Sequence, residues 1–230
     1  MIKLALDSFP YAPDLVGRYN DFTTDEELNE FVGTAINSGT AAITDNNSAP
    51  NGSGGVLLLS GAATTDDSGY NLTGDTEWMR ISAPSSGASR IYRYLTRFQL
   101  SDATESDLLA GMAITDTSLV ASAPSDGIYF LKSDGSTTIN AVVRAASATV
   151  ATVQVATATT NWTTLTWELA VDTAGTGLLI CKQDGVLQSS NRLTTLPTTE
   201  ALTFALGFQS GTATGTIYSG IDLVGAWQSR

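Results

Sequence analysis

Glu168 and Asp172, in the stretch Glu168-Leu169-Ala170-Val171-Asp172, are the closest approach in this chain to paired carboxylates. Two carboxylates flanking a glycosidic bond can hydrolyse it, one as general acid and the other as base or nucleophile. Along a strand, acids that work together share one face, at i and i+2. Position 170 is Ala and no second glutamate follows, so Glu168 reads as a solvent-face strand residue and Asp172 as the start of a turn. The sequence has no histidine. That removes Ser-His-Asp and Cys-His nucleophiles and the usual zinc sites. The single cysteine, Cys181, ends the apolar run Leu178-Leu179-Ile180-Cys181 and reads as a small buried hydrophobe. Asp66-Asp67-Ser68-Gly69 and Asp134-Gly135-Ser136 lack the ligand spacing of a calcium loop and read as Asx-type turns. Asn51-Gly52-Ser53-Gly54-Gly55 has no following Lys-Ser/Thr and no helix, so it is a loop and not a phosphate cradle. No catalytic, cofactor or metal residue is assigned. The chain is expected to act by binding or packing.

The binding candidates are aromatic. Residues 1–22 carry Phe9, Tyr11, Leu15 and Tyr19 around Pro10 and Pro13, which suggests an extended arm that contacts a partner. A first strand packed on its own domain is the alternative. Of the four tryptophans, Trp167 and Trp227 sit on apolar faces and read as core. Trp162, just before a strand, is the best exposed candidate, and with Tyr70 it forms the candidate sugar-stacking set. Arg93 and Arg97 share a strand face, either as salt-bridged surface residues or as a basic stripe.

What must position these groups is sheet. Charged residues are 15% of the chain, against roughly 25% in an average soluble protein. The polar surface falls to Thr, Ser, Asn and Gln, and Thr suits a pleated strand. Tyr92, Tyr94, Phe98 and Leu100 alternate with Arg93, Arg97 and Gln99; Leu165, Trp167, Leu169 and Val171 alternate with Thr164, Thr166, Glu168 and Asp172; Leu202, Phe204, Leu206 and Phe208 repeat the pattern. Period two is the mark of half-buried antiparallel strands. Asp-Gly pairs at 126–127, 134–135 and 184–185 suit tight hairpins. About a dozen strands suit two packed sheets better than one. The fold class is therefore all-β, a two-sheet antiparallel sandwich. One short helix is expected from a capping box at Thr24 and Glu27, with Leu28, Phe31 and Val32 on one face and Gly33 as its stop. The expected division is 1–39 for arm and helix and 40–230 for the sandwich. A net charge of −12 repels phosphate backbones and anionic lipid heads, so neither nucleic acid nor membrane is an expected partner. The N-terminal apolar run is too short for a signal peptide.

Gly54-Gly55-Val56-Leu57-Leu58-Leu59, Tyr92 to Leu100 before Ser101-Asp102-Ala103, Leu109-Ala110-Gly111-Met112-Ala113, Asp126-Gly127-Ile128-Tyr129-Phe130 with Lys132-Ser133-Asp134-Gly135, Thr166 to Asp172 with Lys182-Gln183-Asp184-Gly185, and Ile221 to Gln228 together resemble segments of the concanavalin A-like/laminin-G-like jelly-roll proteins of tailed bacteriophages. The resemblance covers roughly 40–230 and implies a jelly roll and a non-enzymatic virion protein of the capsid decoration or cement type. Its partners would be the major capsid protein or other virion proteins, and it would be a homo-oligomer such as a trimer. It transfers no catalytic residue. The competing expectation is a carbohydrate- or host-receptor-binding module of a phage tail or baseplate.

Overall fold

The computed structural model describes residues 15–23, 25–45, 55–62, 64–212 and 215–229. Phe9, Tyr11, the cap at Thr24 and most of the 51–55 loop lie outside them. Two antiparallel sheets face each other. The eight-stranded sheet runs β13 (Val186–Leu193), β12 (Gly177–Gln183), β11 (Thr163–Val171), β6 (Arg90–Leu100), β15 (Tyr218–Ser229), β4 (Gly55–Ser60), β3 (Thr40–Asp45), and β1 (Leu15–Asn20) also pairs with β15. The seven-stranded sheet runs β10 (Ala148–Thr157), β9 (Thr138–Ala145), β8 (Gly127–Lys132), β7 (Ser106–Ala113), β14 (Thr203–Ser210), β5 (Ser68–Gly74), β2 (Phe31–Ile36). No helix among the described residues is long and apolar enough to cross a membrane.

The apolar half of each alternating strand meets in one core. Tyr94 stacks on its cross-strand partner Trp167 at 5.9 Å and reaches Phe130 and Phe204 of the opposite sheet at 6.3 and 6.4 Å. Burial pushes the Tyr94 hydroxyl pKa far up. Cys181 is buried beside this cluster, as its run implies, and burial raises its thiol to about 11.

Within residues 15–36 the helix differs from expectation, and the strand alternative to an arm is the one seen for residues 15–20. The short helix is a 3-10 turn, Asp25–Glu30, and it ends before Phe31. Phe31 is buried while Val32 is 54% exposed, so the pair alternates as a strand does and shares no helical face. Pairing of β2 along β5 imposes that period. Leu15–Asn20, expected within an arm, pairs with β15 from Leu15↔Ser229 to Asn20↔Val224. Residues 15–36 thus contribute a strand to each sheet, and the division drawn at 39/40 falls in the turn between β2 and β3.

Two of the three Asp-Gly pairs turn as expected. Asp184 and Gly185 both have positive φ (48° and 81°), and Gly135 has φ 66°. Asp126-Gly127 does not form a hairpin. Asp126 is buried, and its carboxylate accepts bonds from Ala146 N and Ser125 Oγ at 3.0 and 2.9 Å. It anchors a long connection, residues 114–126, which leaves β7 and returns to β8 with its ends joined by Ile114 N–H donating to Asp126 O. This strap folds over the outer face of the seven-stranded sheet. Leu119 is fully buried there with Leu109, Ala113, Tyr129, Val142 and Ala205, apart from the main core. Asn71 Nδ2 donates to Thr117 O at 2.9 Å. Gly207 lies beneath: a Cβ there would stand 2.9 Å from Val120 and 3.2 Å from Leu119. Covered on both sides, β14 has no exposed residue.

At one end of the sandwich Lys132 is fully buried, and its ammonium donates to the carbonyls of Thr104 and Ser106. Desolvation lowers its pKa against the pull of Asp107, Asp134, Asp102 and Glu105. Asp102 is held low by the N–H groups of Glu105 and Thr104. Asp107 is raised, chiefly by burial. Folded Asp107 therefore keeps its proton to a higher pH than the unfolded chain does, near 4. Stability falls as pH rises through that window, and the penalty persists above it. Asp107→Asn retains an acceptor for Asp134 N–H. The variant is expected to melt higher than the parent at pH 7, and the gap should close as pH drops below about 4; thermal melts at the two pH values check this.

Candidate functional site

With the strap over one sheet, the outer face of the other is, among the described residues, the more open surface. Alternation and register order its side chains. Ile180, Glu168, Arg93, Trp227 and Gly17 form one line across five strands, and Lys182, Thr166, Leu95, Gly225 and Tyr19 form the next. Neighbouring strands are about 4.8 Å apart, so each line is a ruler across the face.

Trp227 is half-buried and lies flat. A Cβ on Gly17 would stand 2.1 Å from its Cδ1, and one on Gly225 would stand 2.5 Å from its Cη2. The two glycines therefore form the bed of the indole, the pyrrole edge over one and the benzo edge over the other. Interior glycines weaken strands and mark a close approach, and here the approach is by this ring. Beside it Arg93 Nε donates to Glu168 Oε2 at 2.5 Å. Arg97 lies 3.7 Å from Asp222 and 5.8 Å from the Trp162 ring centroid. Burial raises the Asp222 carboxyl, and Arg97 opposes the shift. Arg93, Leu95, Thr166, Glu168, Ile180, Lys182 and Trp227 line a shallow hollow of about 480 Å³.

The structure regroups the expected site residues. Tyr19, 45% exposed, points out beside Gly225 on this face; Leu15 opens the same strand; Phe9 and Tyr11 lie outside the described residues. Trp162 is half-buried against Arg97 on the eight-stranded sheet. Tyr70 belongs to the seven-stranded sheet, packs against the core and covers Gly33. The candidate sugar-stacking pair is therefore split between sheets. Arg93 and Arg97 are both ion-paired. Trp167 is in the core as expected, but Trp227 is not. The β15–β6 register shifts between Ile221 and Leu223. That bulge reverses the alternation, sending Val224 and Ala226 inward and Trp227 outward. The signal that could have found it is the pair of glycines, 17 and 225, in two apolar strands.

On this face Glu168 has Arg93 and Ile180 as its cross-strand neighbours, so no second carboxylate stands opposite it. Asp172 turns the chain, accepting from Ala174 N, Thr176 N and Thr176 Oγ1. Among the described residues no group of three or more His, Cys, Asp or Glu side chains is placed to hold a metal ion.

No family model matches the chain, and no curated protein sequence matches it. Solved structures do. The carbohydrate recognition domain of Emp47p is 13% identical with a TM-score of 0.62, covering 96% of this chain and 100% of that one. Peanut lectin is 12% identical with a TM-score of 0.58, covering 94% and 98%. A carbohydrate esterase of the Shiga toxin-encoding bacteriophage phi24B is 16% identical with a TM-score of 0.54, covering 92% and 97%. At these identities the likeness is one of fold, and the fold hosts lectins and enzymes alike. The chain has the concanavalin A-like jelly-roll fold.

Proposed function

We propose that this protein is a non-catalytic carbohydrate-recognition module, with the outer face of the eight-stranded sheet as its binding surface. The observation that carries the reading is the Trp227 indole laid flat on its glycine bed. An indole pinned parallel to a sheet presents an apolar plane on which the C–H face of a sugar ring can stack, and it loses little freedom on doing so. Arg93, Glu168 and Thr166 lie beside it with donors and acceptors for hydroxyls, the apolar floor with few placed polar groups that small-ligand sites share. The pairing of Glu168 with Arg93, and the lack of a facing carboxylate, favour binding over hydrolysis.

A second reading, a virion decoration protein bound to capsid or other virion proteins, draws on Tyr19, one of the residues expected to meet a partner, which is exposed on the same face. A glycan array run beside cosedimentation with capsids that lack the protein separates the two. The expected result is array binding that Trp227→Ala removes. A blank array with saturable binding at a fixed copy number per capsid would overturn the carbohydrate reading in favour of the structural one.

A further inference from the structure

The chain carries a net charge of −12, yet among the described residues the strands of the eight-stranded sheet set four basic residues on its outer face, Arg93, Arg97, Lys182 and Arg192, against two acidic ones, Glu168 and Asp222. Three of the cations are locally matched. Arg93 pairs with Glu168, Arg97 with Asp222, and Arg192 lies close enough to the turn residue Asp172 to lower its pKa. Lys182 is exposed, and among the described residues no carboxylate stands within ion-pair distance of it. It lines the same hollow as Trp227. The cation of this face with no ion pair among the described residues is thus in the binding hollow, and the carboxylate nearest it in sequence, Asp184, accepts from Thr164 N at 2.9 Å.

We propose that the ligand of this face is an acidic oligosaccharide, a sugar ring stacking on Trp227 while a uronate carboxylate further along the chain is held by Lys182. The inference rests on the carbohydrate reading above and adds the ligand's charge and span. Lys182 stands on β12 and Trp227 on β15, three strand spacings or roughly 14 Å apart, so one sugar ring does not bridge them and a short chain does. Between them lie Thr166 and the Arg93–Glu168 pair, which offer hydroxyl partners and no net charge. Elsewhere the acidic surface repels an anionic chain, which confines it to this hollow.

The test is calorimetric titration of the full chain with a glucuronic acid tetrasaccharide and with the glucose tetrasaccharide of the same linkage. The parent is expected to bind the acidic chain about fivefold more tightly, the upper end of what an exposed ion pair supplies. The preference should shrink as salt shortens the Debye length. Lys182→Gln, a substitution at an exposed site, should erase the preference and leave glucose-chain binding unchanged. Trp227→Ala should weaken both ligands. Equal binding of the two by the parent, or a preference that survives Lys182→Gln, overturns the acidic-ligand inference and leaves the carbohydrate reading standing. Failure of the parent to bind either chain, with a blank glycan array, overturns both.

Discussion

Replacing Trp227 by alanine is expected to weaken glycan binding about thirtyfold and leave the fold intact. A buried or semi-buried aromatic at the centre of a contact is the commonest hot spot and carries about 2 kcal/mol when truncated, which is roughly thirtyfold in affinity. The structural cost should be small. The ring lies on the outside of the sheet, over Gly17 and Gly225, and leaves no cavity in the core that Tyr94 and Trp167 organise. The companion variant is Gly17→Ala. Its Cβ would stand 2.1 Å from Cδ1 of the indole, so the ring must tilt off the sheet. It keeps the tryptophan and spoils the plane. If flatness matters, Gly17→Ala loses affinity as well; if only apolar area matters, it does not. Calorimetric titration with a glycan picked from the array, alongside thermal melts, reads both. An affinity unchanged in Trp227→Ala would move the site off this face.

The second large effect is expected on the other sheet. Leu119→Ala should destabilise the chain by about 3 kcal/mol, within the usual range for truncating a buried leucine. For a chain of this size that is roughly a 10 °C fall in melting temperature. Leu119 is fully buried in a cluster on the outer side of the sheet, separate from the main core, so its loss frees the strap first. Cleavage by a protease within 114–126 should therefore rise as the melting temperature drops. Gly207→Val should act alike from below, since Val120, Leu119 and Asn71 already crowd the position of its Cβ. An unchanged melting temperature with faster cleavage would mean that the strap opens as a separate unit; no change in either would mean that it does not bury Leu119 at all.

The fold was legible because its strands alternate. From Tyr92 to Leu100 and from Leu165 to Val171, counting by two places each residue on its correct side. The same count fails in β15, where one extra residue between Ile221 and Leu223 reverses the sides, and no residue type marks that position. It also fails at Phe31-Val32, where the capping pattern of residues 24–27 suggested a helix and pairing with β5 imposes a strand. The β9–β10 hairpin turns at Ala146 and Ser147, with φ of 50° and 67°, residues that carry no turn signature. Asp126-Gly127 carries one and anchors the strap instead. The candidate site suffered most. Tyr70 and Trp162 are correct as aromatics near surfaces, but which sheet each belongs to depends on strand order, a property of distant pairing that local sequence does not encode. Tyr19 was chosen for an arm and lies beside the indole for a different reason, the register of β1 on β15.

The bulge in β15 means that the chemistry of this face is inherited as a phase. A chain of the same composition with one residue fewer between Ile221 and Leu223 would keep its tryptophan, its two glycines and its arginines. It would turn the indole toward the core and Ala226 toward solvent. Lineages of this fold can therefore turn the indole in or out by a single codon insertion or deletion, with no substitution at any other residue of this face. Comparing relatives of this protein by residue identity at position 227 would miss such events, whereas comparing the spacing from Ile221 to the tryptophan would reveal them.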